Sequence, residues 1–381
     1  MSAGHLYRAA GPVTLYLGDA ATVLATLPES TVDCVVTSPP YWGHRDYGTG
    51  AWHGGPPTCP HHRRRRSHDG AVCPACAAVY VDPQYGLEPT LDGYIQHLLG
   101  VFAQLRRVLK PAGTVWLNLA DTYSSAAGGA PRGGRPQPGG GRLSPPRNQH
   151  VAAPKNLLGI PWRVALALQS EQGWWLRQAV IWHKPNAMPE SVRDRPSCNY
   201  EHLFLLTRSP RYHFDLDPIR VPLAMPGAAD GTRVFGGARR AHLGATGASA
   251  RRRGNTYGPA KYLTDPAEAV GRRGRGNLIA TGSAHTATHP RGRNPGSVWS
   301  ITTRPNRLAH FAAFPVDLPL RAIAAGCPPA GVVCDPFSGI ATTGLAALRL
   351  GRSYIGIDIN SSYHDLALAR LRAHLPDEDP P

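Results

Sequence analysis

Lysine is nearly missing from this 381-residue chain: of 41 basic residues only Lys110, Lys155, Lys184 and Lys261 are lysines, and the other 37 are arginines. Acids are scarce too, 25 in all, which leaves a net charge of +16. A guanidinium is a rigid fork of donors suited to phosphates and guanine edges, so the excess points to a polyanion, nucleic acid first. A GC-rich coding sequence, which raises Arg, Gly, Pro and Ala together, is a competing origin. The chain has no apolar run of about 18 residues, which excludes a bilayer-spanning helix. The N-terminus lacks the basic, apolar and cleavage-site order of a secretory signal, so a cytoplasmic protein without a membrane partner is expected. Cysteines number seven, an odd count, and Cys59, Cys73 and Cys76 crowd together. This pattern argues against a disulfide framework and for reduced thiols and a metal.

What is present supports a substantial fold, since 42% hydrophobic residues supply core for one large domain or two ordinary ones. Residues 221–300 hold twelve Arg and Lys against three acids, a local excess of nine. The runs Arg239-Arg240, Arg251-Arg252-Arg253 and Arg272-Arg273, separated by Gly, Ala and Thr without apolar periodicity, mark a basic, loop-rich region at 221–295. Residues 124–150 are dominated by Gly and Pro and read as a flexible surface loop. Elsewhere short β-rich runs alternate with helical patterns, the signature of an α/β sheet with helices on both faces. Strands are predicted at 13–17, 32–36, 113–119, 176–182, 203–206, 331–334 and 353–357, and helices at 20–27, 91–109, 161–169 and 342–350.

Ligands of open α/β sheets collect beyond the carboxyl ends of the strands, and two such ends stand out. In one, Asp335-Pro336-Phe337-Ser338-Gly339-Ile340-Ala341-Thr342-Thr343-Gly344 passes from strand through turn into helix, bringing backbone N–H groups close to a ligand. Further on, Gly356-Ile357-Asp358 ends another strand in an acid suited to ribose hydroxyls. The turn is not G-x-G-x-x-G and no Walker lysine follows it. A nucleoside-bearing cofactor therefore fits better than a dinucleotide or a nucleoside triphosphate, the alternative being a purely structural turn. The other end is Ser38-Pro39-Pro40-Tyr41.

Together these motifs resemble those of the S-adenosylmethionine-dependent DNA amino-methyltransferases. With the catalytic motif preceding the cofactor motif, they resemble the permuted β-type group. The resemblance covers most of residues 10–220 and 296–372. It implies a Rossmann-like methyltransferase fold, a mostly parallel seven-stranded sheet in circularly permuted order. Residues 1–220 would form the catalytic part, with a cysteine-rich insertion at 51–82, residues 221–295 the target-recognition region, and residues 296–381 the cofactor-binding part of the same domain. It also implies that Phe337 and Gly339 wrap the methionine end of S-adenosylmethionine, with Ser338, Thr342 and Thr343 among the cofactor-binding residues. Asp335 would face its amino group, Asp358 its ribose and Asp19 its adenine, with Phe311, Phe314 and Asn118 as walls. Family members usually carry glycine where Ala341 stands, and its methyl would crowd the cofactor if the turn requires positive φ.

The exocyclic amine of cytosine or adenine is a poor nucleophile because its lone pair is delocalised into the ring. Acceptors around its N–H groups, Ser38 Oγ and the Pro39 carbonyl, favour a pyramidal nitrogen aimed at the sulfonium methyl. Pro39 and Pro40 stiffen the turn, and Tyr41 offers a face for an extruded base, with Trp42 extending that wall. Methylation at cytosine C5 needs a thiolate that follows a proline, and no Pro-Cys pair occurs here. The serine form of the motif favours N4 of cytosine, with N6 of adenine as the alternative. A catalytically silent DNA-binding regulator, supported by Ala341, is the reading from a different class.

Lys184, Arg193 and Arg195 sit in a polar loop resembling the family's DNA-facing loop and are candidate phosphate contacts, with pairing to Glu190, Asp194 or Glu201 as the alternative. Arg251, Arg252, Arg253, Arg272 and Arg273 are the candidates in the basic region. Cys59-x2-His62 and Cys73-x2-Cys76 have the pair spacing of a tetrahedral zinc site, with His61 competing with His62, while Cys34, Cys198, Cys327 and Cys334 are expected to be buried thiols. The expected partners are double-stranded DNA and a separately acting restriction endonuclease. Replacing Arg251, Arg252 and Arg253 by alanine should weaken DNA binding and lower the slope of log K against log salt by up to about 3. Calorimetric cofactor affinity should be unchanged; equal loss of both would place these arginines in the catalytic core.

Overall fold

The structure, a computed structural model, describes residues 5–56, 58–59, 70–124, 151–222, 291–304 and 314–375. The chain divides into two units, Met1–Asp215 with Ser297–Pro381, and Leu216–Gly296. In chain order the strands are β1 His5–Ala10, β2 Val13–Leu17, β3 Val32–Thr37, β4 Ala51–His53, β5 Val79–Val81, β6 Leu109–Leu119, β7 Trp175–His183, β8 Tyr200–Thr207, β9 Val298–Ser300, β10 Val332–Asp335 and β11 Ser353–Asp358. The α-helices are α1 Ala20–Thr26, α2 Leu91–Val108, α3 Ile160–Gln172, α4 Asp317–Gly326, α5 Thr342–Arg349 and α6 Ser361–Leu371.

Nine strands form one sheet in the order β1-β2-β11-β10-β3-β6-β8-β7-β9, and β4 pairs with β5 apart from it. From β2 to β6 every pairing is parallel. The last strand, β11, lies beside β2 in parallel register from Tyr354 opposite Val13 to Asp358 opposite Leu17, so the sheet runs from the C-terminal part straight back into the N-terminal part. This is the permuted arrangement that the motif order implies. The expected seven strands are all present; the two further ones, β1 and β9, lie at the sheet edges. Four of the six residues of β1 are exposed and β9 has three residues, so neither carries an apolar pattern strong enough to read.

The central strands are covered on both faces, as a parallel sheet requires. All six residues of β3 are buried. Along β6 the side chains alternate: Val115 and Leu117 join the core built by α1, α2 and α3. Thr114 faces α4 and hydrogen-bonds the Gly326 carbonyl at 2.9 Å. Helix α2 starts where Thr90 Oγ1 accepts from the Gly93 amide, and it carries Asp92 in its first turn and Arg106 and Arg107 in its last, charges that suit the two helix poles. Helices α4 and α6 lie outside the predicted set. Of the four remaining cysteines, Cys34, Cys327 and Cys334 are buried, whereas Cys198, expected inside, is exposed.

In the second unit the described residues are 216–222 and 291–296. Here Val221 and Arg293 form an antiparallel bridge, and Asp217 receives Arg220 at 2.7 Å and Arg291 at 3.1 Å. The candidate DNA-binding residues Arg251, Arg252, Arg253, Arg272 and Arg273 lie outside the described residues.

Helix α5 lies tightly on β11. A Cβ added at Gly344 would come within 2.6 Å of the buried Tyr354 ring. Alanine in a helix gains up to about 1 kcal/mol over glycine, but forced overpacking costs about 1–3 kcal/mol. Gly344→Ala should therefore lower unfolding stability by about 1–2 kcal/mol in urea titration, the clash outweighing the propensity gain.

Candidate active site

Three neighbouring parallel strands, β11, β10 and β3, end side by side, and their carboxyl ends deliver Asp358, Asp335 and Ser38 to one cavity of about 430 Å³. Asp335 is the buried hub. Its Oδ1 accepts from Thr37 Oγ1 at 2.7 Å and from the Phe337 amide at 3.1 Å, and its Oδ2 from Thr343 Oγ1 at 2.8 Å. Burial nevertheless pushes its carboxyl up to about 6. Asp358 is also raised to about 6 by burial, although its Oδ2 accepts from the Gly339 amide at 2.8 Å and its Oδ1 from the Asn360 amide at 2.9 Å.

The turn between β10 and α5 requires left-handed backbone at Gly339, φ 50°, and at Ala341, φ 53°. Ala341 is fully buried and does not line the cavity, so its methyl lies behind the turn instead of crowding a ligand. Phe337, Ser338, Gly339 and Thr342 line the cavity as expected. Thr343 does not: its hydroxyl reaches Asp335 and, at 3.0 Å, the Val36 carbonyl, so it supports the hub and not the ligand. Asp19 lies beside the cavity without lining it. Its carboxylate caps α1 through the Thr22 amide at 2.9 Å and accepts from Tyr85 Oη at 2.9 Å, leaving Gly18 and Ala20 on the wall. Tyr85, whose ring meets Phe337 edge-on at 5.2 Å, is a wall residue that no motif announced. Phe314 lines the cavity, while Phe311 lies outside the described residues.

The second cluster surrounds Tyr41. Ser38 Oγ donates to Tyr41 Oη at 3.1 Å, and Tyr41 Oη donates to Glu201 Oε2 at 2.7 Å, with Asn118 Oδ1 at 3.2 Å. Burial, reinforced by the Glu201 charge, holds the phenol well above its ordinary range and keeps it neutral. The Pro40 carbonyl is occupied by Tyr94 Oη at 2.9 Å, while that of Pro39 has no partner among the described residues and is left as an acceptor. Trp42, expected in the wall, is instead buried beneath it and donates to the Glu88 carbonyl at 2.9 Å. His44, edge-on to Tyr41 at 5.7 Å, lines the cavity, and burial lowers its basicity.

Lys184 belongs to this cluster and not to a free phosphate-binding surface. Its ammonium pairs with Glu201 and lies 4.5 Å from the centre of the Trp182 ring. Arg195 is likewise engaged, donating to Glu190 at 2.7 Å and stacking 4.0 Å over the Tyr123 ring. Arg193 is exposed. Away from the cavity Cys59, Cys73 and Cys76 converge, while His61 and His62 lie outside the described residues.

Residues 32–369 match the N6 and N4 methyltransferase family, described as DNA methylase. The chain belongs to this DNA methylase family. A type II methyltransferase of Xanthomonas campestris pv. cyanopsidis is 34% identical over 359 residues, 94% of this chain and 87% of the relative. One from Citrobacter freundii is 32% identical over 359 residues with the same coverage. The solved structure of the cytosine-N4-specific PvuII DNA methyltransferase has a TM-score of 0.54 at 15% identity, over 99% of this chain and 92% of that one, and shares the fold.

The methyl donor of this DNA methylase family is S-adenosylmethionine. The cavity fits it: two acids, Asp335 buried and Asp358 half-buried, line the space, and no Lys or Arg pairs with either among the described residues, so negative charge awaits the donor's ammonium and sulfonium and acceptors await its ribose. Asp335 and Asp358 sit above their ordinary 3.8, so their protonation favours the ligand-free fold; that contribution is complete below about 4 and lost as pH rises through about 6. A cationic ligand prefers them ionised. Affinity for S-adenosylmethionine, measured by calorimetry, should fall about tenfold per participating carboxyl between pH 7.5 and 5. Asp335→Asn should weaken binding and flatten the profile, and a constant Kd would remove both acids from the donor's site.

Proposed function

We propose that this DNA methylase transfers a methyl group to the N4 amine of cytosine in double-stranded DNA, the base being turned out of the duplex into the cavity beside Tyr41. The hydrogen-bonded chain from Ser38 through Tyr41 to Glu201 carries this reading. Because the Ser38 proton is directed at Tyr41 Oη, the lone pairs of its oxygen are left for an amine N–H. The open Pro39 carbonyl offers the second acceptor. Two acceptors at one amine favour the pyramidal nitrogen that direct displacement needs, with geometry and electrostatics supplying the catalysis.

S-adenosylmethionine supplies an electrophilic methyl on a sulfonium. Asp335, Phe337 and Asp358 orient that donor from the β10 and β11 side, while Ser38 and Pro39 present the amine from the β3 side. The Tyr41 ring, fixed at its hydroxyl, gives a flat face for the base. A neutral serine acceptor in place of an acid supports cytosine over adenine. The basic region at 221–295 would read the recognition sequence. Arg193, exposed in the loop after β7, would meet phosphate, a contact that positions the duplex without specifying sequence. The type II methyltransferases that share most of the chain support a role in restriction-modification, with the endonuclease as a separate protein. The buried Ala341 methyl, set behind the turn, weighs against a catalytically silent relative.

Duplex DNA of mixed sequence incubated with protein and donor should yield N4-methylcytosine on nucleoside mass spectrometry. N6-methyladenine would redirect the assignment within the family, and C5-methylcytosine would overturn the mechanism. Ser38→Ala should reduce single-turnover transfer by about 100-fold or more with donor affinity retained. Unimpaired transfer by Ser38→Ala or Tyr41→Ala would refute the assigned roles.

A further inference from the structure

Outside the cavity, the sulfur atoms of Cys59, Cys73 and Cys76 lie within 4.8 Å of one another, with Cys59 and Cys73 3.9 Å apart. Zinc–thiolate bonds of about 2.3 Å in a tetrahedron set sulfurs about 3.8 Å apart, whereas a disulfide holds them about 2 Å apart. The observed spacing is that of ligands around a common ion. The local backbone is shaped for it. Two of the three, Cys73 and Cys76, belong to one turn, Cys73-Pro74-Ala75-Cys76. The turn is closed by Ala77 N–H to Cys73 O at 2.8 Å and Cys73 N–H to Ala78 O at 2.7 Å. Ala77 takes a left-handed φ of 58° to make this return. From the other side Gly55, φ +76°, leaves the room that the Cys76 sulfur needs, since a Cβ there would lie 2.7 Å from it.

We infer that Cys59, Cys73 and Cys76 are three ligands of a structural zinc ion that holds one wall of the cofactor cavity in place. Among the described residues of the excursion from Ala51 to Val81 only Cys73 and Ala78 are buried, and β4 and β5 are three residues each. A hairpin of that size is marginal by itself, and small units of this kind depend on a metal or a disulfide. Metal binding then contributes directly to folding. The hairpin's base is the cavity wall. Thr49 Oγ1 donates to Asp82 at 2.6 Å, the Tyr47 amide to Gln84 Oε1 at 2.6 Å, and Gln84 Nε2 to the Arg45 carbonyl at 2.6 Å. Tyr47, Thr49, Gln84 and Tyr85 all line the cavity. Order at the sulfur cluster is thus passed along one hairpin to the donor's site, a step that rests on the cavity being that site.

Full-length protein purified under reducing conditions without chelator should contain one zinc per chain by plasma mass spectrometry. After metal removal it should bind cobalt(II) with thiolate charge-transfer absorption. Cys73→Ser and Cys76→Ser should lose both signals, and Cys198→Ser, outside the cluster, should keep them. Little zinc in wild-type protein together with no cobalt uptake, or full metal in Cys73→Ser, overturns the site. Stripping the zinc should weaken S-adenosylmethionine binding by about fivefold or more, with the helical circular dichroism retained. Unchanged affinity after complete metal loss overturns the clamping role. Metal content is read without donor or DNA, so a failure of the methyl-transfer reading would show itself separately.

Discussion

One buried hydrogen bond, from Thr37 at the end of β3 to Asp335 at the end of β10, joins residues 298 positions apart and sets the distance between the two halves of the chemistry. In the proposed reaction the turn that would present the base follows β3, and the turns that would hold the donor follow β10 and β11. Thr343 at the start of α5 closes the same carboxylate from the other side, so the donor turn, its helix and the catalytic turn share one anchor. The anchor is costly in isolation, as the raised carboxyl shows, and three hydrogen bonds offset the burial without abolishing it. What is left over is negative character directed into a cavity, where a cation gains from it.

The permuted chain order has a mechanical meaning here. The donor-binding strands come last in the chain, yet β11 is inserted between β2 and β10, so the N-terminal strands are completed only when the C-terminal part has docked. The central contacts are therefore long-range, and the Thr37–Asp335 bond cannot form in an N-terminal fragment. A sheet dominated by such pairings must close long loops before its contacts reward it, which makes its formation intrinsically slow.

Much of this was legible in the sequence because the central strands must be apolar on both faces and their ends must turn sharply. Val32 to Thr37, Ser38-Pro39-Pro40-Tyr41 and the Asp335 turn announce themselves by composition. The edge strands β1 and β9 do not, since an exposed edge imposes no strong pattern. The support residues were harder. Glu201 and Tyr85 enter the site by long-range pairing from β8 and from the segment before α2, and no local spacing encodes that they meet Tyr41 and Asp19. The same blindness misplaced Lys184, Thr343 and Trp42. Sequence showed a cation, a hydroxyl and an indole next to functional motifs; burial and partner choice decided that the first neutralises Glu201, the second braces Asp335 and the third packs below the wall.

The pairing of Lys184 with Glu201 bears on how a polyanion gains entry. In the proposed reaction a carboxylate in the wall would repel the phosphates that flank a base turned out of the duplex, yet that carboxylate fixes Tyr41. With the lysine ammonium against it, incoming DNA meets a local dipole whose field dies away quickly, not a bare negative charge. The wall keeps an anion as a structural part while presenting almost none of its charge to the substrate, and the arginines elsewhere in the chain can attract the duplex without opposition from Glu201.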